Sequence, residues 1–262
     1  MRIYRLPARS DNYIFVLHDV VSNVAAVVDP ADALPVIHLL KQLNASLVAI
    51  FNTHHHGDHV GGNTELLSQF PSAVVYGGEQ DRGRIPHQSV FLADGDTVEF
   101  SGYIGRVLFV PGHTRAHIAY YFEPVLEDSE DSSDAGDLLC GDTLFAGGCG
   151  RLLEGTPQQM VESLQKIRQL PDSTRIWCAH EYTLKNLEFA MTVEPTNTAL
   201  AHRYRDVQIA RRQNQPTVPS MLSTEKETNP FLRWDQPDVM AIAKTSDPVR
   251  CFAKIRGMKD LF

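Results

Sequence analysis

The chain reads Thr53-His54-His55-His56-Gly57-Asp58-His59 one residue after an apolar run, Leu47-Val48-Ala49-Ile50-Phe51. His54, His56, Asp58 and His59 thus place four metal-ligand side chains within six positions. Imidazole nitrogens and carboxylate oxygens are the common donors for zinc and related cations. A buried strand that ends in such a loop presents its donors at a sheet edge. His55 lies between two ligands, and its side chain is expected to point away from them.

Three further candidates repeat this arrangement. His113 follows an apolar stretch, Arg106–Val110, in the segment Pro111-Gly112-His113-Thr114. Asp142 follows Leu138–Cys140, and His180 follows Arg175–Ala179. Five imidazoles (His54, His56, His59, His113, His180) and two carboxylates (Asp58, Asp142) make seven donors. That is too many for one tetrahedral ion and suits two neighbouring ones. Nitrogen and oxygen donors without thiolate suit zinc, iron or manganese. Two divalent metal ions per chain are therefore expected, and the donors by themselves leave zinc, iron and manganese open. Two cations about 3.5–4 Å apart can share a water and lower its pKa to about 7. Hydroxide is then available at neutral pH, and the reaction class is hydrolysis without a protein nucleophile. Asp58 helps hold the second metal and is the expected acceptor of a proton from the water. His117 is expected to hydrogen-bond a ligand, while His18, His38, His87 and His202 read as surface or packing residues. Cys149, in Gly147-Gly148-Cys149-Gly150, has no evident base beside it and reads as a packing residue.

The elements that position these groups follow from periodicity. Tyr13–Leu17 and Asn23–Val28 read as strands joined by a hairpin at Asp19–Ser22. Ala33–Leu43 reads as a helix with Leu34, Ile37 and Leu40 on one face. Leu47–Phe51 is a strand, and Asn63 is the expected cap of a helix running to about Phe70. Ala73–Tyr76, Thr97–Phe100, Arg106–Val110, Ile118–Phe122, Leu138–Cys140 and Arg175–Ala179 are further strands. Gln158–Leu170 reads as an amphipathic helix through Val161, Leu164, Ile167 and Leu170. Glu127–Asp137 holds six carboxylates and reads as a solvated loop. From Thr183 onward the pattern is helical, broken at Pro195, Pro216, Pro219 and Pro230, with no convincing strand. A catalytic α/β domain over residues 1–180 and a smaller helical domain over 181–262 are expected.

Composition excludes several classes. The 262 residues are 43% hydrophobic and 21% charged, as in an ordinary globular protein. A net charge of −8 argues against nucleic acid as a partner. No apolar run reaches the roughly 18 residues a membrane helix needs. The opening residues show no secretory leader, and the four scattered cysteines suit a reducing compartment. A cytoplasmic, monomeric protein acting on a small molecule is the expectation.

With these residues in view, the chain resembles the metallo-β-lactamase superfamily, and within it the glyoxalase II group of hydroxyacylglutathione hydrolases. Beyond the ligand set, the similarity rests on Asp11-Asn12-Tyr13, Gly141-Asp142-Thr143-Leu144-Phe145, Gly148-Cys149-Gly150-Arg151, Glu154-Gly155, His180-Glu181-Tyr182-Thr183 and Lys259-Asp260-Leu261-Phe262. The resemblance implies a four-layer αββα sandwich followed by a helical domain that helps bind glutathione. It implies hydrolysis of S-D-lactoylglutathione to D-lactate and glutathione, a step of methylglyoxal detoxification. By the family pattern His54, His56 and His113 hold one metal, Asp58, His59 and His180 the other, and Asp142 bridges. Arg151, Tyr182, Arg256 and Lys259 fall on the family's glutathione-contacting positions. Leu153 stands where the family often has an aromatic residue, and the acidic insert is longer than the family pattern. A persulfide dioxygenase shares the ligand loop and a Gly-Cys-Gly-Arg segment. The Leu152-Leu153-Glu154-Gly155 continuation and the basic-ended C-terminal region favour the hydrolase.

Overall fold

The computed structural model describes residues 1–124 and 135–262. Most of the acidic stretch read as a solvated loop, residues 127–134, lies outside the described residues. The chain forms two compact units. The first comprises Met1–Phe109, residues 116–124 and Leu139–Gly141; the second comprises Val110–Arg115, Ala135–Leu138 and Asp142–Phe262.

The first unit opens with β1 (Arg2–Ala8), β2 (Asn12–Asp19), β3 (Val24–Val28), α1 (Ala33–Leu43), β4 (Ser46–Phe51), α2 (Gly57–Val60), α3 (Asn63–Gln69), β5 (Val74–Gly78) and β6 (Val90–Leu92). These six strands form one sheet in sequence order. β1, β2 and β3 pair antiparallel, and β3 to β6 run parallel. The strand β1 was not legible in the sequence, because its arginines mask the alternation that would announce it. It exists through pairing: Arg2 to Ala8 lie opposite His18 to Asn12. Behind the sheet, Val36, Ile37 and Leu40 of α1 join Ile14, Val16, Val27 and Ile50 in one apolar core. Burying each such side chain contributes roughly 1.5–3 kcal/mol. Leu34, expected on this face, is 58% exposed, because the buried stripe runs through Ala33, Val36, Ile37 and Leu40.

β7 (Thr97–Phe100), β8 (Tyr103–Phe109) and β9 (Ile118–Phe122) form an antiparallel meander, with β10 (Asp137–Gly141) beside β9. Asp137, counted with the acidic loop in the sequence, is the first residue of β10. Its carboxylate is buried and accepts from Arg175 Nε, Arg175 Nη2 and Trp177 Nε1 at 2.7, 2.7 and 2.6 Å.

The second unit continues with β11 (Leu144–Phe145), β12 (Gly148–Cys149), α4 (Pro157–Arg168), β13 (Arg175–Cys178), α5 (Thr183–Val193), α6 (Thr198–Arg212), β14 (Ser220–Met221), α7 (Leu222–Thr228), α8 (Pro237–Ala243) and α9 (Pro248–Leu261). Thr156 and Gln159 close a capping box on α4, with Pro157 in its first turn. Asp247 accepts from Arg250 N at 2.7 Å and starts α9. β14 pairs antiparallel with β13, so one short strand does occur where only helices were expected. Two residues carry too little periodicity to be seen in a sequence.

Candidate metal centre and adjoining cavity

Each sequence-predicted ligand sits just beyond a strand end. The loop 53–59 follows β4, His113 follows β8, Asp142 follows β10 and His180 follows β13. The strand carbonyls and amides are committed to the ladders, so the residues beyond them are held while their side chains remain available.

In the first unit the loop folds on itself. His54 Nε2 lies 3.0 Å from His56 Nδ1. Asp58 Oδ2 lies 3.6 Å from His59 Nε2. Asn12 Nδ2 donates to Asp58 Oδ2 at 3.2 Å and to its carbonyl at 3.1 Å. Asp29, a buried residue missed in the sequence reading, organises the centre of the loop. Its Oδ1 accepts from Thr53 N at 2.8 Å, and its Oδ2 accepts from Thr53 Oγ1 at 2.7 Å. The same Oδ2 lies 3.0 Å from His59 Nδ1. Thr53 Oγ1, having donated to Asp29, is left to accept from His54 Nδ1 at 3.0 Å. The only signal for Asp29 in the chain is its place directly after the strand Val24–Val28. His117 stacks on His54, with ring centroids 4.5 Å apart and planes at 20°. Its Nδ1 lies 3.0 Å from Ile118 O. His117 thus packs face to face on a predicted ligand. His55 does point away from the ligands, toward Arg84 and Asp81. Asn63 does not cap α3, whose cap position is Gly62. Its amide is buried and donates to Asn52 Oδ1 at 2.8 Å.

In the second unit the two oxygens of Asp142 face different imidazoles. Oδ2 lies 3.4 Å from His113 Nε2, and Oδ1 lies 3.3 Å from His180 Nε2. His113 Nδ1 donates to Arg151 O at 2.9 Å. Gly150 packs directly against this pair: a Cβ there would meet Asp142 O at 2.0 Å.

These contacts test whether the donors suit metal ions. His54, His59 and His113 each have Nδ1 against an acceptor, which selects the tautomer whose Nε2 carries a lone pair. A carboxylate with each oxygen turned to a different imidazole suits a bridging ligand. The donor set fits two divalent cations.

A cavity of about 520 Å³ in the second unit opens on Asp142 and His113. Arg151, Tyr182, Arg256 and Lys259 all line it, so the four expected substrate contacts share one concave space with two expected ligands. Tyr182 stacks on His180 at 4.8 Å and 8°. Arg151 is largely exposed, whereas Arg256 is only 6% exposed. α9 places Arg256 one turn beyond Phe252, on the buried face of the helix. Arg256 Nη1 donates to Cys149 O and Nη2 to Asp260 Oδ1, both at 3.0 Å. Its Nε has no hydrogen-bond partner among the described residues. Lys259 Nζ donates to Lys185 O at 3.0 Å. Burial, with Arg256 and Lys185 nearby, lowers the Lys259 pKa to about 8. Cys149 is buried and its thiol is pushed up to about 11, mainly by burial. That suits packing and disfavours a thiolate.

Comparison with known proteins first defines the class. Residues 12–180 match the metallo-β-lactamase superfamily. Solved structures share its fold: the B3 metallo-β-lactamase BLEG-1 at a TM-score of 0.63 and 21% identity, over 88% of this chain and 99% of that one. ETHE1 from Myxococcus xanthus aligns at a TM-score of 0.65 and 21% identity, over 100% and 99% of the two chains. The fold is the metallo-β-lactamase fold with a C-terminal helical region. Residues 181–262 match the family described as hydroxyacylglutathione hydrolase C-terminus. Hydroxyacylglutathione hydrolases of Acaryochloris marina and Crocosphaera subtropica are each 64% identical over 262 residues, covering all of both chains. The chain belongs to the hydroxyacylglutathione hydrolase family.

Proposed function

We propose that this enzyme hydrolyses the thioester of S-D-lactoylglutathione, and of other 2-hydroxyacylglutathiones, to the hydroxy acid and glutathione. The observation that carries the reading is the cavity of the second unit. It joins Asp142 and His113 to a wall of cations, Arg151, Arg256 and Lys259. Glutathione is an anion and the chain carries −8 overall, so its binding requires local positive charge of this kind.

His54, His56 and His113 would hold one divalent ion, and Asp58, His59 and His180 the other, with Asp142 shared between them. Zinc is the favoured ion, and iron or manganese suits the same donors. When bound, the two ions supply Lewis acidity toward the thioester carbonyl and water activated near neutral pH. The chain's own residues do the rest. Asn12 holds Oδ2 of Asp58, the acceptor for the proton that water gives up. Asp29 and Thr53 fix the ring orientation of His59 and His54. Arg151, Arg256 and Lys259 bind the carboxylates of glutathione, each charge-assisted hydrogen bond contributing roughly 1.5–3 kcal/mol. Tyr182, stacked on His180, lines the same cavity as a further glutathione contact. The C–S bond breaks and glutathione leaves as its thiol.

The helical region from residue 181 is read as the glutathione-binding domain. Action as a monomer in a reducing cytoplasm is the accompanying reading, supported by four buried thiols. Among the described residues no helix is long and apolar enough to cross a membrane. The test is loss of the S-D-lactoylglutathione thioester absorbance, with and without a chelator. Fast turnover that the chelator abolishes is expected. No turnover in fully metal-loaded protein would overturn the reading, and oxygen uptake with glutathione persulfide would then point to the dioxygenase.

A further inference from the structure

A charged pair, buried Asp81 and half-buried Arg84, packs beside the ligand loop, outside every role assigned above. Asp81 is 0% exposed. Arg84 Nη1 lies 3.4 Å from Asp81 Oδ1. Arg84 Nη2 lies 2.8 Å from His55 Nδ1, and that same nitrogen lies 3.3 Å from Asp81 Oδ1. The three side chains form a closed triangle in which each touches the other two. A carboxylate fully withdrawn from water is costly unless it is paired, so this pair is an expensive feature for a loop to carry.

Its location suggests what it is for. Asp81 and Arg84 come from the segment just after β5, and β5 pairs parallel with β4, whose end carries the ligands. Two parallel neighbours deliver their following segments to the same sheet edge. His55 is the residue between His54 and His56. Its ring packs edge-on to both, with centroids 6.3 Å from His54 and 4.8 Å from His56. Thr53 and His54 form a bend, and His56 beyond it is extended at φ −60°, ψ 144°. Anchoring the His55 ring between them therefore limits how the peptide units it shares with both neighbours can turn.

We propose that Asp81 and Arg84 are positioning residues for the ligand loop, acting through His55 to hold His54 and His56 at ligating separation. The proposal rests on the reading of His54 and His56 as metal ligands. Removing the pair relaxes the loop, so it weakens metal binding while leaving the glutathione cavity of the second unit as it is.

The test compares full-length wild type with Arg84→Gln and Arg84→Lys. Zn²⁺ affinity is read by competition with a chromophoric chelator, alongside KM at saturating Zn²⁺ and the melting temperature of the metal-free protein. Arg84→Gln is expected to weaken Zn²⁺ binding about tenfold or more, the usual effect of removing a partner that orients a ligand. KM is expected to stay at the wild-type value, and Arg84→Lys to recover part of the lost affinity. Wild-type Zn²⁺ affinity in Arg84→Gln, with only a lower melting temperature, would overturn the proposal and leave the pair a packing feature. A lysine variant no better than the glutamine one would overturn it too. If wild type itself binds no Zn²⁺ in this titration, the failure lies in the metal reading beneath, which separates the two cases.

Discussion

Replacing Gly150 with alanine adds one methyl group at a position where the structure has no room for it. The new Cβ would stand 2.0 Å from Asp142 O and 3.1 Å from two atoms of His113. Nonbonded carbon and oxygen atoms do not approach within about 3 Å, so one partner must retreat by about 1 Å. The nearest atom is backbone, and the backbone in question carries Asp142, the carboxylate proposed to be shared. Overpacking of this size costs about 1–3 kcal/mol, less than the 5–15 kcal/mol that holds a typical fold together. The variant should therefore fold. Displacing a group at the reaction centre by about 1 Å costs on the order of 10²-fold in rate. The expected result is a fall of about that size in kcat/KM, with reduced bound metal and a modest drop in melting temperature. The assay is thioester hydrolysis at saturating Zn²⁺, with metal content measured on the same sample. A Gly150→Ala enzyme within twofold of wild type in both would refute the argument that this glycine is required by its closeness to Asp142.

Other perturbations give distinct readouts. Asp142→Ala should lose both metals and nearly all turnover; full metal occupancy in that variant would remove Asp142 as the shared ligand. Lys259 titrates near 8, so it is a cation below that pH and loses its charge above it. KM for the anionic substrate should therefore climb as pH rises through about 8, by as much as tenfold if one charge-assisted hydrogen bond is lost. Lys259→Arg should flatten that climb, and an equal climb in both enzymes would place the titration elsewhere. Glu225→Gln should lower the melting temperature, because the buried Glu225 carboxylate is ion-paired to Arg203 and accepts from Gly147 N at 2.8 Å and Asn229 Nδ2 at 3.0 Å. Leaving Arg203 without its carboxylate costs about 3–5 kcal/mol, so calorimetry showing a shift under about 3 °C would contradict it.

Arg256 has a structural role that its place in the sequence does not announce. The sequence reading set it among the substrate contacts, and the cavity wall contains it. The structure adds that its guanidinium donates to Cys149 O and to Asp260. A substitution there disturbs the turn carrying Cys149 and Gly150 as well as the charge of the cavity. A purely KM-type effect is therefore expected of Lys259 and not of Arg256.

The ligand loop was legible because its information is local. Four donors within six residues, just after an apolar strand, need no knowledge of the rest of the chain. The same holds for α1, α4 and most strands, whose periodicity is written over a few turns or pleats. The strand-end placement of His113, Asp142 and His180 was legible by repetition of the same pattern.

Asp29, the Asp81–Arg84–His55 triangle and the inward turn of Arg256 were not legible. Each depends on contacts between residues 24 to 107 positions apart. A buried aspartate after a strand and an arginine near the C-terminus have many ordinary explanations in a sequence. Only folding decides which polar atoms face each other once water is excluded, and each one left unpaired there is costly. The residue types and their local order thus determined what chemistry this chain can do. The long-range packing decided how those groups are oriented, because orientation is set by partners that the chain brings close only when it folds.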